Sequence, residues 1–242
     1  GGNIVSIENF KLGIFHGNQI SYYSNQQLKK KYNYKDGHKT GENYSYYNDG
    51  KLESILIFNE ADKIINQNTY WDNNNIKSIS KHIYKENKNS ASTHKIIHRT
   101  KEKNYYRTKV LESKGIYVNG RKEGLWKYYT ANKVLSKTIE YKYDKKHGKE
   151  TQYHSKKTIA LQGNYINNKK TGTWNKYDKN GAQIEEAYYK NNLLNGQYWK
   201  VISEDINKGE YIKGKKTGTW STIKNGKTIK KENYIKGNLI EN

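Results

Sequence analysis

The stretch Gly163-Asn-Tyr-Ile-Asn-Asn-Lys-Lys-Thr-Gly-Thr-Trp-Asn-Lys-Tyr-Asp-Lys-Asn-Gly181 decides the fold, because it returns almost unchanged as Gly209-Glu-Tyr-Ile-Lys-Gly-Lys-Lys-Thr-Gly-Thr-Trp220. Fixed-period self-similarity is the signature of a repeat array. With Gly172 as the mark, equivalent glycines stand at Gly124, Gly148, Gly196 and Gly218, spaced 24, 24, 24 and 22 residues apart. Seven residues before each stands a tyrosine: Tyr117, Tyr141, Tyr165, Tyr189 and Tyr211. Five residues after each comes Tyr129, Tyr153, Tyr177, Val201 or Ile223. A further, partial unit opens at Tyr234.

The N-terminal part follows the same ruler. Phe10, Gly17 and Tyr22 mark one unit, Tyr34, Gly41 and Tyr46 the next, and Phe58, Ile65 and Tyr70 a third with isoleucine in the glycine place. Thr93, Thr100 and Tyr105 mark a degenerate unit, offset from the third by an extra 11 residues. The expected organisation is therefore N-terminal repeats over 1–81 and a phase break over 82–92, read as a polar loop or hairpin tip. C-terminal repeats then run over 93–242, with units from about 93, 117, 141, 165, 189, 211 and 234.

Each unit reads as a β-hairpin. Thr-Trp-Asn-Lys-Tyr177 alternates as a strand does, and Asp178-Lys-Asn-Gly181, Asn48-Asp-Gly50 and Lys224-Asn-Gly226 are turn sequences. The return strand places Leu28, Leu52, Leu111, Leu135 and Ile159 six residues before its final aromatic. An even separation in a strand puts both side chains on one face. Later units move this apolar residue to Ile184, Ile206 and Ile229, consistent with a bulge or a shorter turn. The fold class that follows is all-β, an elongated open solenoid or single twisted sheet of stacked antiparallel hairpins. Each hairpin contacts only its neighbours and advances the array by ~10 Å.

Composition agrees with a thin structure. The 242 residues are only 33% hydrophobic, yet include 24 Tyr, 5 Trp and 3 Phe, so the apolar content is concentrated in rings. Mean hydropathy is −1.19. The formal net charge is +22, which favours anionic partners; a Lys-, Asn-, Ile- and Tyr-rich composition also arises from AT-rich coding. Without cysteine there is no disulfide or thiolate metal site. The absence of methionine reads as a processed or trimmed chain, which leans toward export: periplasmic, surface or secreted rather than cytoplasmic. No apolar run approaches the ~18 residues of a membrane span.

The unit Gly-x-Tyr-x-x-x-Lys-Lys-Thr-Gly-Thr-Trp-x-x-Tyr-x-x-x-Gly, best seen at Gly163–Gly181 and Gly209–Trp220, resembles the variant MORN repeat of bacteria. YwqK-type proteins of the antitoxin kind typify that repeat. The likeness covers 93–242 clearly and 10–81 more loosely; Ile65 and Thr100 at the glycine mark and Leu193-Leu194 in place of lysines depart from it. The resemblance implies a hairpin solenoid that binds macromolecules and is not an enzyme. Its partners would be a toxin, or a host or surface protein, and eukaryotic relatives are linked to membrane lipids.

Two features recur at fixed places in the unit. A basic pair precedes the glycine: His38-Lys39, Arg121-Lys122, Lys145-Lys146, Lys169-Lys170 and Lys215-Lys216. Read as a ladder along one edge of the sheet, it would suit a phosphate backbone, an anionic glycan or an anionic membrane, although a hairpin tip must be polar in any case. Trp126, Trp174, Tyr198 and Trp220 stand two residues after the glycine, with parity opposite to Tyr129, Tyr177 and Ile223. They read either as cover for the sheet or as an aromatic binding face.

Catalytic chemistry finds no support. Glu185-Glu186 are adjacent and so face opposite ways on a strand, and no nucleophile–base order or phosphate loop appears. Of the seven histidines, His94 and His98 have helical metal-pair spacing, but their stretch reads as strand or loop, so no metal and no cofactor are expected. The expected function is a non-enzymatic scaffold that binds another protein, of antitoxin or immunity type. The alternative is an exported adhesion factor that grips anionic glycans or lipids through the basic edge; nucleic acid binding and edge-to-edge self-association rank below these.

Overall fold

The computed structural model describes residues 2–86 and 96–240. It is all-β: 23 strands and, among the described residues, no helix. The chain forms two compact units, Gly1–Arg121 with Ala131–Lys133, and Lys122–Thr130 with Val134–Asn242. This division lies downstream of the phase break at 82–92.

The first unit holds β1 (Ser6–Ile7), β2 (Phe10–Lys11), β3 (Ile14–Phe15), β4 (Gly17–Tyr22), β5 (Leu28–Lys35), β6 (His38–Lys39) and β7 (Gly41–Tyr46). It continues with β8 (Leu52–Phe58), β9 (Ile64–Tyr70), β10 (Ile76–Glu86), β11 (Ile96–Tyr105) and β12 (Leu111–Val118). From β4 onward, each strand pairs antiparallel with the next; β6 and β7 share the partner β5, β1 pairs with β4, and β2–β3 form a separate small hairpin. The second unit follows the same rule. Its strands are β13 (Arg121–Tyr129), β14 (Leu135–Lys142), β15 (Lys145–Tyr153), β16 (Ile159–Ile166), β17 (Lys169–Tyr177), β18 (Gln183–Lys190), β19 (Leu193–Ile202), β20 (Asp205–Ile212), β21 (Lys215–Lys224), β22 (Lys227–Ile235) and β23 (Asn238–Ile240). Each is antiparallel to its successor, and the 21-stranded sheet is open.

Two kinds of turn alternate. One is a two-residue turn with both residues at positive φ: Asn167 (48°) and Asn168 (67°), Asn191 (52°) and Asn192 (70°), Asn119 (49°) and Gly120 (77°). Such turns match the right-handed twist of the strands they join, and Asn and Gly tolerate the conformation best. The other is a three-residue loop closed by paired backbone bonds, as in Tyr47 N–H to Lys51 O (2.8 Å) and Gly50 N–H to Tyr47 O (2.9 Å). At β19–β20 this loop shortens to Ser203-Glu204, both at positive φ, which accounts for the 22-residue spacing and for Ile206. Ile184 has a different origin: Gln183 pairs with Tyr177 in the place of Leu135 and Ile159, so Ile184 is simply the next residue of β18.

The marked glycines sit at a β-bulge. Between β16 and β17 the register passes from Asn164↔Thr171 to Gln162↔Asn175, so two extra residues lie on β17. The same break separates Tyr141↔Lys146 from Ile139↔Glu150, and Glu210↔Thr217 from Lys208↔Ser221. Gly17, Gly41, Gly124, Gly148, Gly172, Gly196 and Gly218 all have positive φ there, from 57° to 146°. Where glycine is missing, the two-residue bulge is missing too: at Ile65 a single extra residue remains, the register passing from Ile57↔Asn66 to Phe58↔Ile64. Thr100 lies in β11, which keeps one unbroken register with β10 from Ser78↔Asn104 to Glu86↔Ile96. Residues 82–86 are thus strand, and the remainder of 82–92, expected as a loop or hairpin tip, lies with Thr93 and His94 outside the described residues.

A second glycine of the repeat is present for a different reason. Gly163 lies under the Trp174 ring and Gly209 under the Trp220 ring, and a Cβ at either position would overlap the indole. At Gly172 and Gly218 a Cβ would meet nothing within 4 Å, and only the backbone conformation argues for glycine. The two glycines of one repeat should therefore respond differently. Gly163→Ala should cost about 1–3 kcal/mol by overpacking, measured by denaturant unfolding. Gly172→Asn should cost less than Gly172→Val, since Asn tolerates left-handed φ and a β-branched residue does not. Equal losses for Asn and Val at 172 would contradict the assignment.

Candidate functional site

In each unit one sheet face, here the inner face, is packed and the other is open. On the inner face of the second unit, Trp126, Trp174 and Trp220 are only 1%, 3% and 5% exposed, the most deeply covered rings of that sheet. Each packs edge-on against the tyrosine column that precedes the glycine: Trp126 on Tyr141, Trp174 on Tyr165 and Tyr189, Trp220 on Tyr211 and Tyr234. Trp174 Nε1–H donates to the Asn164 carbonyl and Trp220 Nε1–H to the Glu210 carbonyl, both 3.3 Å, beside the bulge. Tyr198, in the same repeat position, packs edge-on to Tyr211, and its phenol is pushed up to about 12 by burial first and then by the negative charge of Glu185. Of the two readings of Trp126, Trp174, Tyr198 and Trp220, an aromatic binding face is thus corrected in favour of cover for the sheet: the three indoles are buried and Tyr198 is half-buried.

The other occupants of this position, which the sequence reading passed over, show its role. Asn43 is wholly buried in the first unit. Its carboxamide oxygen accepts from Asn33 N–H (2.9 Å), and its nitrogen donates to the Thr40 and Gly41 carbonyls (both 3.1 Å). Gln19 bonds the backbone of Asn9 in the same manner, through Asn9 N–H (2.9 Å) and Asn9 O (2.6 Å). Glu150, 3% exposed, takes the place in the unit between Trp126 and Trp174. A bulge leaves backbone groups off the ladder, and buried polar groups must be bonded, so the position demands a side chain that plugs the gap. An amide or an indole meets that demand equally.

The basic pairs divide between the two faces, because successive strand residues point opposite ways. Lys145, Lys169 and Lys215 are exposed, whereas Lys122, Lys146, Lys170 and Lys216 are half-buried on the inner face. In the first unit Arg121 is exposed, and Lys39 turns inward over the rings of Tyr32 (4.9 Å) and Phe58 (5.6 Å). Lys122 Nζ lies 4.4 Å from the Trp126 ring centre, Lys170 4.2 Å from Trp174 and Lys216 4.2 Å from Trp220. Lys146, having no indole, pairs with Glu150 at 3.0 Å. Burial holds the Lys122 and Lys170 ammonium groups below their ordinary pKa. Burial also pushes Lys146 down, but its hydrogen bond and charge contact with Glu150 outweigh that, and its pKa rises. The expected single edge ladder is thus corrected to an outer row of solvated cations and an inner row that lids the rings. At Leu193-Leu194 the first leucine is exposed and the second takes the inner place.

Each two-residue turn is also tied back to the preceding hairpin. Asn168 Oδ1 accepts from Lys146 N–H (2.7 Å) and Asn192 Oδ1 from Lys170 N–H (2.6 Å), while Asn168 N–H and Asn192 N–H donate to the same lysines' carbonyls. The inner lysines are therefore anchored at backbone and side chain alike. Lys170→Ala should cost about 1 kcal/mol through lost cation–π contact and stem packing. Lys169→Ala should stay within about 0.5 kcal/mol of the parent, both read from unfolding midpoints. Equal losses would overturn the division into two rows.

A polar cluster occupies the same face of β10 and β11. His82 Nδ1 and His98 Nε2 stand 2.9 Å apart, Thr100 Oγ1 lies 3.1 and 3.2 Å from them, and Tyr84 stacks on His98 at 4.6 Å. One proton between the two facing nitrogens makes the bond, and a second would set one N–H against the other and break it. Burial, then His98, holds His82 below the ordinary imidazole value of 6.5. Nearby on this face Ser80 donates to Glu102, whose pKa burial raises. A lowered folded pKa gives stability that is present above pH 6.5 and lost as pH falls through the folded value. Amide protection in β10–β11 should therefore drop from pH 7.5 to pH 5, and His82→Phe should remove most of that drop. Protection independent of pH in the parent would refute it. Among the described residues no group of three His, Cys, Asp or Glu side chains converges to hold a metal ion.

No family model matches this chain, and no curated protein matches it. Among solved structures, it is similar to a chain of "Crystal Structure of TcdB2-TccC3-TEV", at 13% identity and a TM-score of 0.20 over 90% of this chain and 14% of that one. A chain of "Crystal Structure of TcdB2-TccC3-Cdc42" is similar at 10% identity and a TM-score of 0.18 over 96% of this chain and 16% of that one. The chain therefore spans only 14–16% of the length of those structures, and a likeness so slight carries no argument about fold or activity.

Proposed function

We propose that this protein is a non-enzymatic repeat scaffold that binds another protein, in the manner of the antitoxin or immunity partners implied by its likeness to variant MORN repeats. One observation carries the reading: the inner face is consumed by its own packing, while the outer face of the second unit repeats exposed cations and exposed apolar side chains at fixed positions. Lys145, Lys169 and Lys215 stand there with Leu125, Ile166, Tyr188, Leu193, Ile212 and Ile235, all of them exposed. An apolar set of this size rimmed by charge on a backbone-bonded sheet is the usual form of a protein-binding surface.

The second reading, an exported adhesion factor for anionic glycans or lipids, rests on the outer cations alone. Among the described residues no ion pair engages Lys145, Lys169 or Lys215, and with ~10 Å between alternate strands they form a charge row interrupted once, at Leu193. The two readings separate by experiment. A photo-crosslinking residue at Tyr188 or Ile166 should capture one partner protein at stoichiometric yield in the native host, and one on the inner face should capture none. Salt-graded retention on heparin tests the alternative: Lys145→Gln with Lys169→Gln should leave protein capture in place. If no protein is captured and the same pair abolishes heparin retention, the scaffold reading falls and the glycan reading stands.

A further inference from the structure

Within the second unit the outer face beside the two-residue turns carries a groove of about 550 Å³, lined by Ile212, Lys213, Lys215, Thr217, Ile235 and Lys236. We propose that this groove is the docking site for an acidic, apolar segment of the partner protein; the inference rests on the protein-binding reading above. Its volume falls within the range of pockets that take a few side chains. Ile212 and Ile235 form its apolar walls and are 52% and 60% exposed, a cost the fold bears at the two strands that flank β21.

The wall charges are all positive. Three lysines line the groove and no carboxylate does; the nearest in register is Glu210, opposite Thr217 on the neighbouring strand. A second copy of this chain would bring like charge against like, with +22 on each molecule. A segment bearing Asp or Glu together with Leu, Ile or Phe would satisfy the lysines and cover both isoleucines at once.

Geometry separates a peptide from a bilayer. The isoleucines sit on the strands just before the turns, at Ile212 and Ile235, whereas the turn tips are Lys213-Gly214 and Lys236-Gly237. A planar membrane would reach those polar tips first and leave the isoleucines short of its apolar layer. A peptide can enter the recess behind them. The same position holds Ile166 behind Asn167-Asn168 but Lys190 behind Asn191-Asn192, so the recess at Ile212 and Ile235 is local to the last hairpins.

The test uses the full chain and a short fluorescent peptide rich in Glu and Leu, with Glu-only and Lys–Leu counterparts and phosphatidylglycerol-containing vesicles as comparisons. The Glu–Leu peptide should bind, and the Ile212→Ser, Ile235→Ser double variant should weaken it at least about tenfold, a loss of about 1.4 kcal/mol. Lys213→Glu with Lys236→Glu should abolish binding and rescue the Lys–Leu peptide. All four positions are exposed, so unchanged unfolding midpoints will show that the variants fold. Equal binding of the Glu-only peptide, indifference to the isoleucine variants, or binding of vesicles in preference to peptide overturns the proposal. If the peptides fail while crosslinks at Tyr188 still capture a partner, the docking site is wrong and the scaffold reading survives.

Discussion

The bulge at the repeat glycine is the constraint on which this architecture depends. Two extra residues on one strand break the hydrogen-bond ladder in every hairpin that has the glycine, and only positive φ allows the chain through the break. The break creates an obligation, since backbone groups beside it need a partner. The side chain two residues after the glycine meets it, as indole over glycine at Trp174 and Trp220, as carboxamide at Asn43. The Lys four residues before the indole then closes over its π face at 4.2 Å. Glycine, plug and cation form one device, repeated.

That device settles which side of the sheet is available. A single-layer sheet has no second layer to bury its aromatic face, so the rings must be covered by side chains of the same sheet. Tyrosine, lysine and the plug residue do so, and the indoles of the inner face are buried while its tyrosines are half-covered. Positive charge is divided on the same principle. In each basic pair the inner lysine acts as a lid, where burial lowers the pKa of Lys122 and Lys170, and the outer residue meets solvent.

Much of this was legible in the sequence because it is local. The period, the hairpins and the alternating turns follow from glycine, asparagine and aromatic spacing, which act over a few residues. Even the absence of the bulge in β10–β11 is written at Thr100, where a glycine should stand. The equivalence of Asn43 and Trp174 was not legible, because nothing in residue type connects an amide and an indole. They share a task set by the neighbouring strand, and that strand enters only with register.

The sequence by itself determined that the chain is a β-hairpin repeat, where each hairpin turns, and which residues recur. Only the tertiary structure decided what the recurring residues face. Lys169 and Lys170 are neighbours in the chain, yet one meets solvent and the other an indole. Trp174 looked exposable until the strand carrying Gly163 was laid beneath it. Alternation fixes that two neighbours differ; it does not say which one is covered. That choice belongs to the bulge, whose two extra residues slide the indole across the adjacent strand onto a glycine with no side chain to stop it.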